Sequence, residues 1–352
     1  MKTAYFLSIH RYAVVFSLIL SLCSLGNAFA ETPAPETPKT QRGTLAGGVQ
    51  YETPAWFKDS FLDIQDDVDE AKAAGKHVLL FFHLNDCPYC ERMLRESFSQ
   101  EPLQGFIQQH FDVIGINIKG DREIAFDKET SLLEKELAEK IKVEYTPTIL
   151  FLDGKNDAVA RLNGYRSPAR FKTILEYVQS NAYEKGTLAD YVATHQPKDV
   201  YTLRDNPLFK TITDFSAIKT PLAVIFEDTS CDECSHFHDK LLSRPDVQTE
   251  LKALTVVRLD ANSTDAITDT DGKQTTAKDW AKTLDMLYRP GSVLFDGGKE
   301  VQRIDGMLYS FHFKELIRYV GGGFHKTATM RDYMRARQEE LLAAGININL
   351  AE

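Results

Sequence analysis

Two cysteine pairs share one spacing: Cys87 and Cys90 in "NDCPYCERM", and Cys231 and Cys234 in "TSCDECSHF", 144 residues further on. A Cys-x-x-Cys can hold a metal, close a structural bridge or exchange electrons. In exchange the thiolate is the nucleophile. A cysteine at a helix N-terminus ionises readily, because unpaired N–H groups and the helix dipole favour negative charge there. Each pair follows an apolar run, "HVLLFF" or "PLAVIF", and precedes a helical pattern, which puts Cys87 at such a position with Cys90 able to resolve a mixed disulfide. Pro88 suits the first turn of that helix. A zinc ion shared between the pairs would have to join two repeats that each look complete. A permanently closed bridge across so small a ring would constrain little of the unfolded chain. Electron exchange is therefore the reading for "CPYC".

The second pair differs in its surroundings. Asp232 and Glu233 add negative charge beside Cys231 and oppose thiolate formation, giving a less reactive thiol and a more stable disulfide. His236 and His238 follow closely, so Cys231, Cys234 and one histidine are a candidate copper or zinc set, although helix-surface histidines are commonly only solvated. His83, four residues before Cys87, is a candidate to tune that cysteine or simply to pack.

The elements that must position these residues alternate. "FLDIQDDVDEAKAAGK" sets Phe61, Ile64, Val68 and Ala71 at helical spacing, with Gly75 as the stop. A buried strand over 78–82 and a helix opening at the Cys-x-x-Cys follow. Then come a strand in "FDVIGINI", a helix in "SLLEKELAEKIK", strands in "PTILFLD" and "DAVARL", and a helix from Pro168 to Gln179. This order predicts an α/β fold: a mixed sheet with parallel strands at its centre, a final antiparallel hairpin, and flanking helices.

The whole pattern then repeats. "HVLLFFHLNDCPYC" aligns with "PLAVIFEDTSCDEC" at an offset of 144, "ELAEKIKVEYTP" with "DWAKTLDMLYRP" at 143, and "NGYRSPARFKTILEYV" with "DGMLYSFHFKELIRYV" at 142. "TLADYV" at 187 has its partner in "TMRDYM" at 329. An offset that falls one residue at a time is what small loop deletions leave in two copies of one fold. Pro and polar residues at 193–206 mark the boundary, giving units over 53–196 and 197–352.

At the N-terminus, Lys2 and Arg11 precede the apolar stretch "YAVVFSLILSLCSL", and "NAFA" ends it with small residues at Ala28 and Ala30. This predicts a signal peptide over 1–30 cleaved near Ala30, export to the periplasm, and no membrane insertion of the mature chain. The Pro- and Thr-rich "ETPAPETPKTQRGTLAGG" predicts a flexible leader over 31–52, with folding starting near Trp56. Cys23 leaves with the peptide, so the mature chain keeps only the two Cys-x-x-Cys pairs. Loss of Lys2 and Arg11 takes the formal charge from −10 to −12, which disfavours nucleic acid and anionic lipid as partners.

A Cys-x-x-Cys between strand and helix, with an X-Pro dipeptide opening a strand 60 residues later in one copy (Pro147) and 59 in the other (Pro290), resembles the thioredoxin superfamily. The resemblance implies two tandem thioredoxin-like domains. It implies a cis Pro147 that sets Thr146 beside Cys87 to pair with an extended substrate chain, and a groove formed by Pro88, Tyr89, Thr146 and Pro147. Arg289 and Pro290 hold the matching positions in the second copy, where the Arg289 cation is placed to compensate Cys231. "GKHVLLFFHLNDCPYCERM" with "INIKGDREI", and "YMRARQEELLAAGININL" near the end, is similar to the SoxW-type periplasmic thioredoxins. That implies a partner cysteine kept reduced with electrons from a membrane donor of the CcdA or DsbD kind. The sequence departs from the family in having Phe81 and Ile225 where thioredoxins carry a buried acid, and Asp86 and Ser230 where they carry Trp.

The function expected is a periplasmic thiol:disulfide oxidoreductase that reduces disulfides or reactive cysteines of exported proteins and needs no cofactor. Cys87 attacks and Cys90 resolves, while Cys231 and Cys234 repeat the chemistry or relay electrons. A disulfide isomerase or oxidase is the near alternative. A copper or zinc chaperone, or a client-binding protein, is the alternative from another class.

Overall fold

The computed structural model describes residues 41–352. The expected signal peptide, and the leader as far as residue 40, lie outside the described residues. Among those described, no helix is long and apolar enough to cross a membrane.

After the short strand β1 (Leu45–Ala46), the first copy opens with α1 (Ile64–Ala73), capped by Asp63, whose side chain accepts the Asp66 N–H at 3.1 Å. Phe61, expected on the buried face of this helix, is instead fully exposed. Leu62 turns the chain with φ +64°, so the helix begins only after it. Gly75 (φ +70°) ends the turn beyond the helix, and β2 (His77–His83) follows.

Next come α2 (Pro88–Met93), which runs on as a π-helical turn over Leu94–Phe98, then α3 (Leu103–His110), β3 (Phe111–Asn117), β4 (Glu123–Asp127) and β5 (Thr130–Leu133). The copy closes with α4 (Glu134–Lys140), β6 (Thr148–Leu152), β7 (Ala158–Asn163), α5 (Pro168–Gln179) and α6 (Leu188–His195).

The second copy repeats this order from β2 onward, with no counterpart of α1 among the described residues. It runs β8 (Leu222–Glu227), α7 (Cys234–His236) continued by a π-helical turn over Phe237–Leu242, α8 (Pro245–Leu251), β9 (Thr255–Asp260), β10 (Ala266–Thr268) and β11 (Gln274–Thr276). Then follow α9 (Ala277–Thr283), β12 (Gly291–Asp296), β13 (Lys299–Ile304), α10 (Ser310–Gly321), α11 (Met330–Ala343) and β14 (Ile348–Asn349). Even the caps recur: Thr187 takes the Asp190 N–H as Thr329 takes the Asp332 N–H.

The two sheets have the same strand order, β3-β2-β6-β7 and β9-β8-β12-β13. Alternate residues of β2 face opposite layers, Leu79 and Phe81 toward the helix carrying the cysteines, Val78, Leu80 and Phe82 toward α1 and α4. Both faces are covered, which is why the strand reads as one continuous apolar run.

The expected parallel centre is corrected. β2 pairs in parallel with β3, but the central β2–β6 pair is antiparallel. His83 pairs with Asn117 and Phe82 with Thr148, so the excursion between β3 and β6 begins and ends at one end of the sheet. Part of that excursion is the β4–β5 hairpin, which takes the first residues of the helix expected in "SLLEKELAEKIK" and sets Leu132 opposite buried Ile124.

The described part of the leader is also not free. Leu45 and Ala46 pair in parallel with Ile348 and Asn349, and Val49 N–H donates to the Asp86 carbonyl beside the first cysteine.

The described residues, 41–352, fall in one unit, and its halves meet around equivalent positions. Gly164 and Gly306 correspond in the repeat and touch each other across the boundary. A Cβ on Gly306 would come within 2.9 Å of the Asn163 carbonyl oxygen and 3.2 Å of Gly164 Cα. Arg166, almost fully buried beside them, donates to the Asn163 carbonyl and to Asp305 of the other half and lies 5.0 Å over the Tyr288 ring.

Gly306→Val is expected to cost about 1–3 kcal/mol by overpacking this contact. Gly186→Ala, at a site where a Cβ meets nothing within 4 Å, should leave the urea midpoint unchanged. Equal midpoints for Gly306→Val and wild type would mean the halves are not held here.

Candidate functional site

Cys87 ends the turn after β2 in extended conformation and caps α2, with Pro88 in the first helical turn. Its sulfur accepts the Cys90 N–H at 3.1 Å and the Thr146 hydroxyl at 3.4 Å. Both donors would stabilise negative sulfur in the reduced state. Cys87 and Cys90 are joined as a disulfide, with Cα atoms 5.3 Å apart. The Thr146–Pro147 bond is cis, and the Thr146 carbonyl oxygen lies 3.6 Å from the Cys87 sulfur. Thr146, Pro147, Pro88 and both cysteines therefore meet at one place. His83 does not join them: its Nδ1 sits 3.1 Å from the Tyr51 hydroxyl, which itself donates to the Leu84 carbonyl.

Cys231 and Cys234 are also joined, Cα atoms 5.4 Å apart, and Arg289–Pro290 is likewise cis. The local structure nevertheless differs. α7 starts only at Cys234, with Glu233 at the cap, so Cys231 does not cap the helix as Cys87 does. Both cysteines are buried beneath Tyr201 and Leu203 of the segment joining the halves. Arg289 does not serve Cys231 in the expected way. Its Nε donates to Asp228 at 2.9 Å and its Nη1 to the Met286 and Tyr288 carbonyls.

The expected effect of "DE" on Cys231 changes too, because both acids are engaged. Asp232 takes the Ser167 hydroxyl at 2.7 Å and Arg170 Nε at 3.2 Å, and Glu233 takes the Tyr288 hydroxyl. Burial pushes the Glu233 carboxyl above its ordinary range. His236 is exposed while His238 is buried against Glu227 at 2.8 Å, so the two histidines do not converge. Among the described residues no three His, Cys, Asp or Glu gather as a metal-binding group.

A family profile for the thioredoxin-like domain matches residues 64–179 and again 208–321. The chain belongs to the thioredoxin-like family.

Several solved thioredoxin-fold structures match about a third to two fifths of the chain. One is a thioredoxin-fold protein from Helicobacter pylori, 25% identical, covering 39% of this chain and 92% of that one, with TM-score 0.31. A thioredoxin from Thermus thermophilus is 28% identical over 33% of this chain and 83% of its own, with TM-score 0.27. The oxidised C-terminal domain of Neisseria meningitidis DsbD is 17% identical over 33% and 91%, with TM-score 0.24. No curated protein matches. The SoxW type is not singled out by these comparisons.

The two thioredoxin-like halves cover each other's cysteine loops. Tyr89 of "CPYC" is buried, its ring 4.7 Å from that of Tyr309, and its hydroxyl accepts the Tyr309 N–H while lying 2.9 Å from His312 Nδ1. These two residues open α10 of the second half. Reciprocally, Ser167 and Arg170, at the start of α5, hold Asp232 and the Ser230 carbonyl of the other cysteine loop. Gln302 also donates to the hydroxyl of Tyr145, next to Thr146. Arg166, Arg170, Tyr309 and His312 were not singled out from the sequence. The available signal was polar side chains on the otherwise apolar helix starts "SPARF" and "YSFHF".

In fully reduced protein, Cys87 (6% exposed) should alkylate at least about tenfold faster than Cys90 or Cys231 (0% and 1%), read by mass spectrometry. Burial lowers the His312 imidazole to about 4. The unfolded chain takes up this proton near its ordinary value of 6.5, so the stability from keeping it neutral is complete above that pH and lost as pH falls toward 4. A thermal-melting series should show that decline in wild type and a flatter one in His312→Gln. Parallel series would remove His312 as its source.

Proposed function

We propose that this chain is a periplasmic thiol:disulfide oxidoreductase that reduces disulfides in exported partner proteins. The Cys87 thiolate attacks a partner disulfide, forming a Cys87–partner bond and releasing one partner thiolate. Cys90 then gives up its proton and attacks the Cys87 sulfur. The Cys87–Cys90 disulfide closes and the second partner thiol leaves with that proton, while the first partner thiolate takes from water the proton that Cys87 lost on ionising, so two electrons and two protons end on the partner. Thr146 and Pro147 line the groove for the partner's extended segment. Electrons return to Cys87 and Cys90 from a membrane dithiol donor of the CcdA or DsbD kind. The periplasmic assignment rests on the N-terminal sequence alone.

The observation that carries this reading is the convergence on the Cys87 sulfur of a helix-start N–H and the Thr146 hydroxyl, beside cis Pro147. The same donors favour an isomerase or oxidase as the second reading, because stabilising the reduced form raises the potential.

A redox titration that follows each pair by alkylation separates them. A "CPYC" potential near roughly −200 mV or below supports the reductase, and one near roughly −120 mV an oxidase. Cys87→Ser should abolish insulin or partner reduction, and full activity of that variant would end the oxidoreductase reading. Protein recovered from the periplasm should begin near Glu31, whereas an intact N-terminus in the cytoplasm would overturn the compartment.

A further inference from the structure

The second cysteine loop is built as a connector. Its disulfide closes a ring that contains only Asp232 and Glu233. The α-helix begins at Cys234, so Glu233 only caps it, its carbonyl taking the Phe237 N–H, and Asp232 lies outside it, whereas α2 contains both Pro88 and Tyr89. The bridge between two fully buried cysteines closes the ring on which Asp232 sits. From that ring Asp232 reaches the first half, taking the Ser167 hydroxyl and the Arg170 guanidinium, and the adjoining Ser230 carbonyl takes Arg170 Nη2 at 2.8 Å. Arg170 is almost fully buried, and a buried cation is costly once its carboxylate moves away. The same docking sets Tyr309 and His312 over Tyr89, next to Cys90 in the ring that Cys87 closes.

We propose that the Cys231–Cys234 disulfide is a redox latch: oxidised, it holds Asp232 against Ser167 and Arg170 and keeps the halves closed over "CPYC"; reduced, it releases them and opens that site. The reductant is a dithiol. Its two thiols become a disulfide as the Cys231–Cys234 bond breaks, and two electrons and two protons pass to the two cysteines. The latch requires the second pair to be reducible. It does not depend on which way electrons flow at Cys87.

The test uses the full mature chain carrying Cys87→Ser and Cys90→Ser, so that only the second pair changes state. Hydrogen exchange is followed in peptides spanning 88–93 and 307–312 before and after dithiothreitol. Reduction should raise exchange there by about tenfold while β2 and β8 stay protected. Adding Asp232→Asn and Glu233→Gln should give the faster exchange even with the disulfide closed. The latch is overturned if oxidised and reduced proteins exchange alike, if excess dithiothreitol leaves the pair closed in the folded chain, or if the strands lose protection together with the interface. Continued slow exchange in the Asp232→Asn, Glu233→Gln chain overturns it as well. None of these outcomes bears on exchange at Cys87 and Cys90, which are absent from the test.

Discussion

The structure depends on a guanidinium placed where water does not reach. Arg166 lies in the contact between the halves, donating to the Asn163 and Tyr165 carbonyls and to Asp305, with the Tyr288 ring beneath it. Removing such a charge from water costs several kcal/mol, and the cost is offset only while all of its partners are in place. Tyr288 and Met307 of the second half pack within the core that also holds Cys87 and Cys90. The halves are thus parts of one buried network, and a partial separation would leave both an unpaired cation and bare apolar surface.

Within that frame the same fold position gives two different cysteine pairs. In the first, proline lets the helix start directly after Cys87, so a backbone N–H reaches the sulfur. In the second, the two acids between the cysteines are drawn to a hydroxyl and a guanidinium of the other half and to Tyr288, and the helix starts at the second cysteine. The negative charge that reads in the sequence as a brake on Cys231 is consumed by the other half at Asp232 and by Tyr288 at Glu233. Arg289, which reads as a compensating cation, is consumed by Asp228.

What was legible follows from the range of the signals. The repeat, the buried strands, the cysteine helices and the two X-Pro strand starts are written in local patterns, and the structure carries each of them. The β4–β5 hairpin was hidden because Leu132 and Leu133 continue the helical spacing of Leu137 and Ile141, and only pairing with Ile124 decides between strand and helix. Phe61 fitted the helix face by spacing, but the turn at Leu62 removed it. The leader read as flexible because its partner, β14, lies at the opposite end of the chain. The contact between halves was illegible for a related reason. Arg166, Arg170, Asp305 and His312 are types ordinarily assigned to solvent, and only long-range packing buries the two arginines and half-buries the other two.

The meeting of Gly164 with Gly306, its counterpart in the repeat, has a consequence for how such a chain arises. Equivalent residues touching across an axis, each half's α5 or α10 start seated on the other's cysteine loop, is the geometry of an isologous homodimer. Fusing the two subunits fixes the stoichiometry at one of each and removes the need for both to stay identical. A free homodimer would have to carry the same loop twice. The fused chain can present "CPYC" on one side of the axis and "CDEC" on the other, and every molecule is then a matched pair.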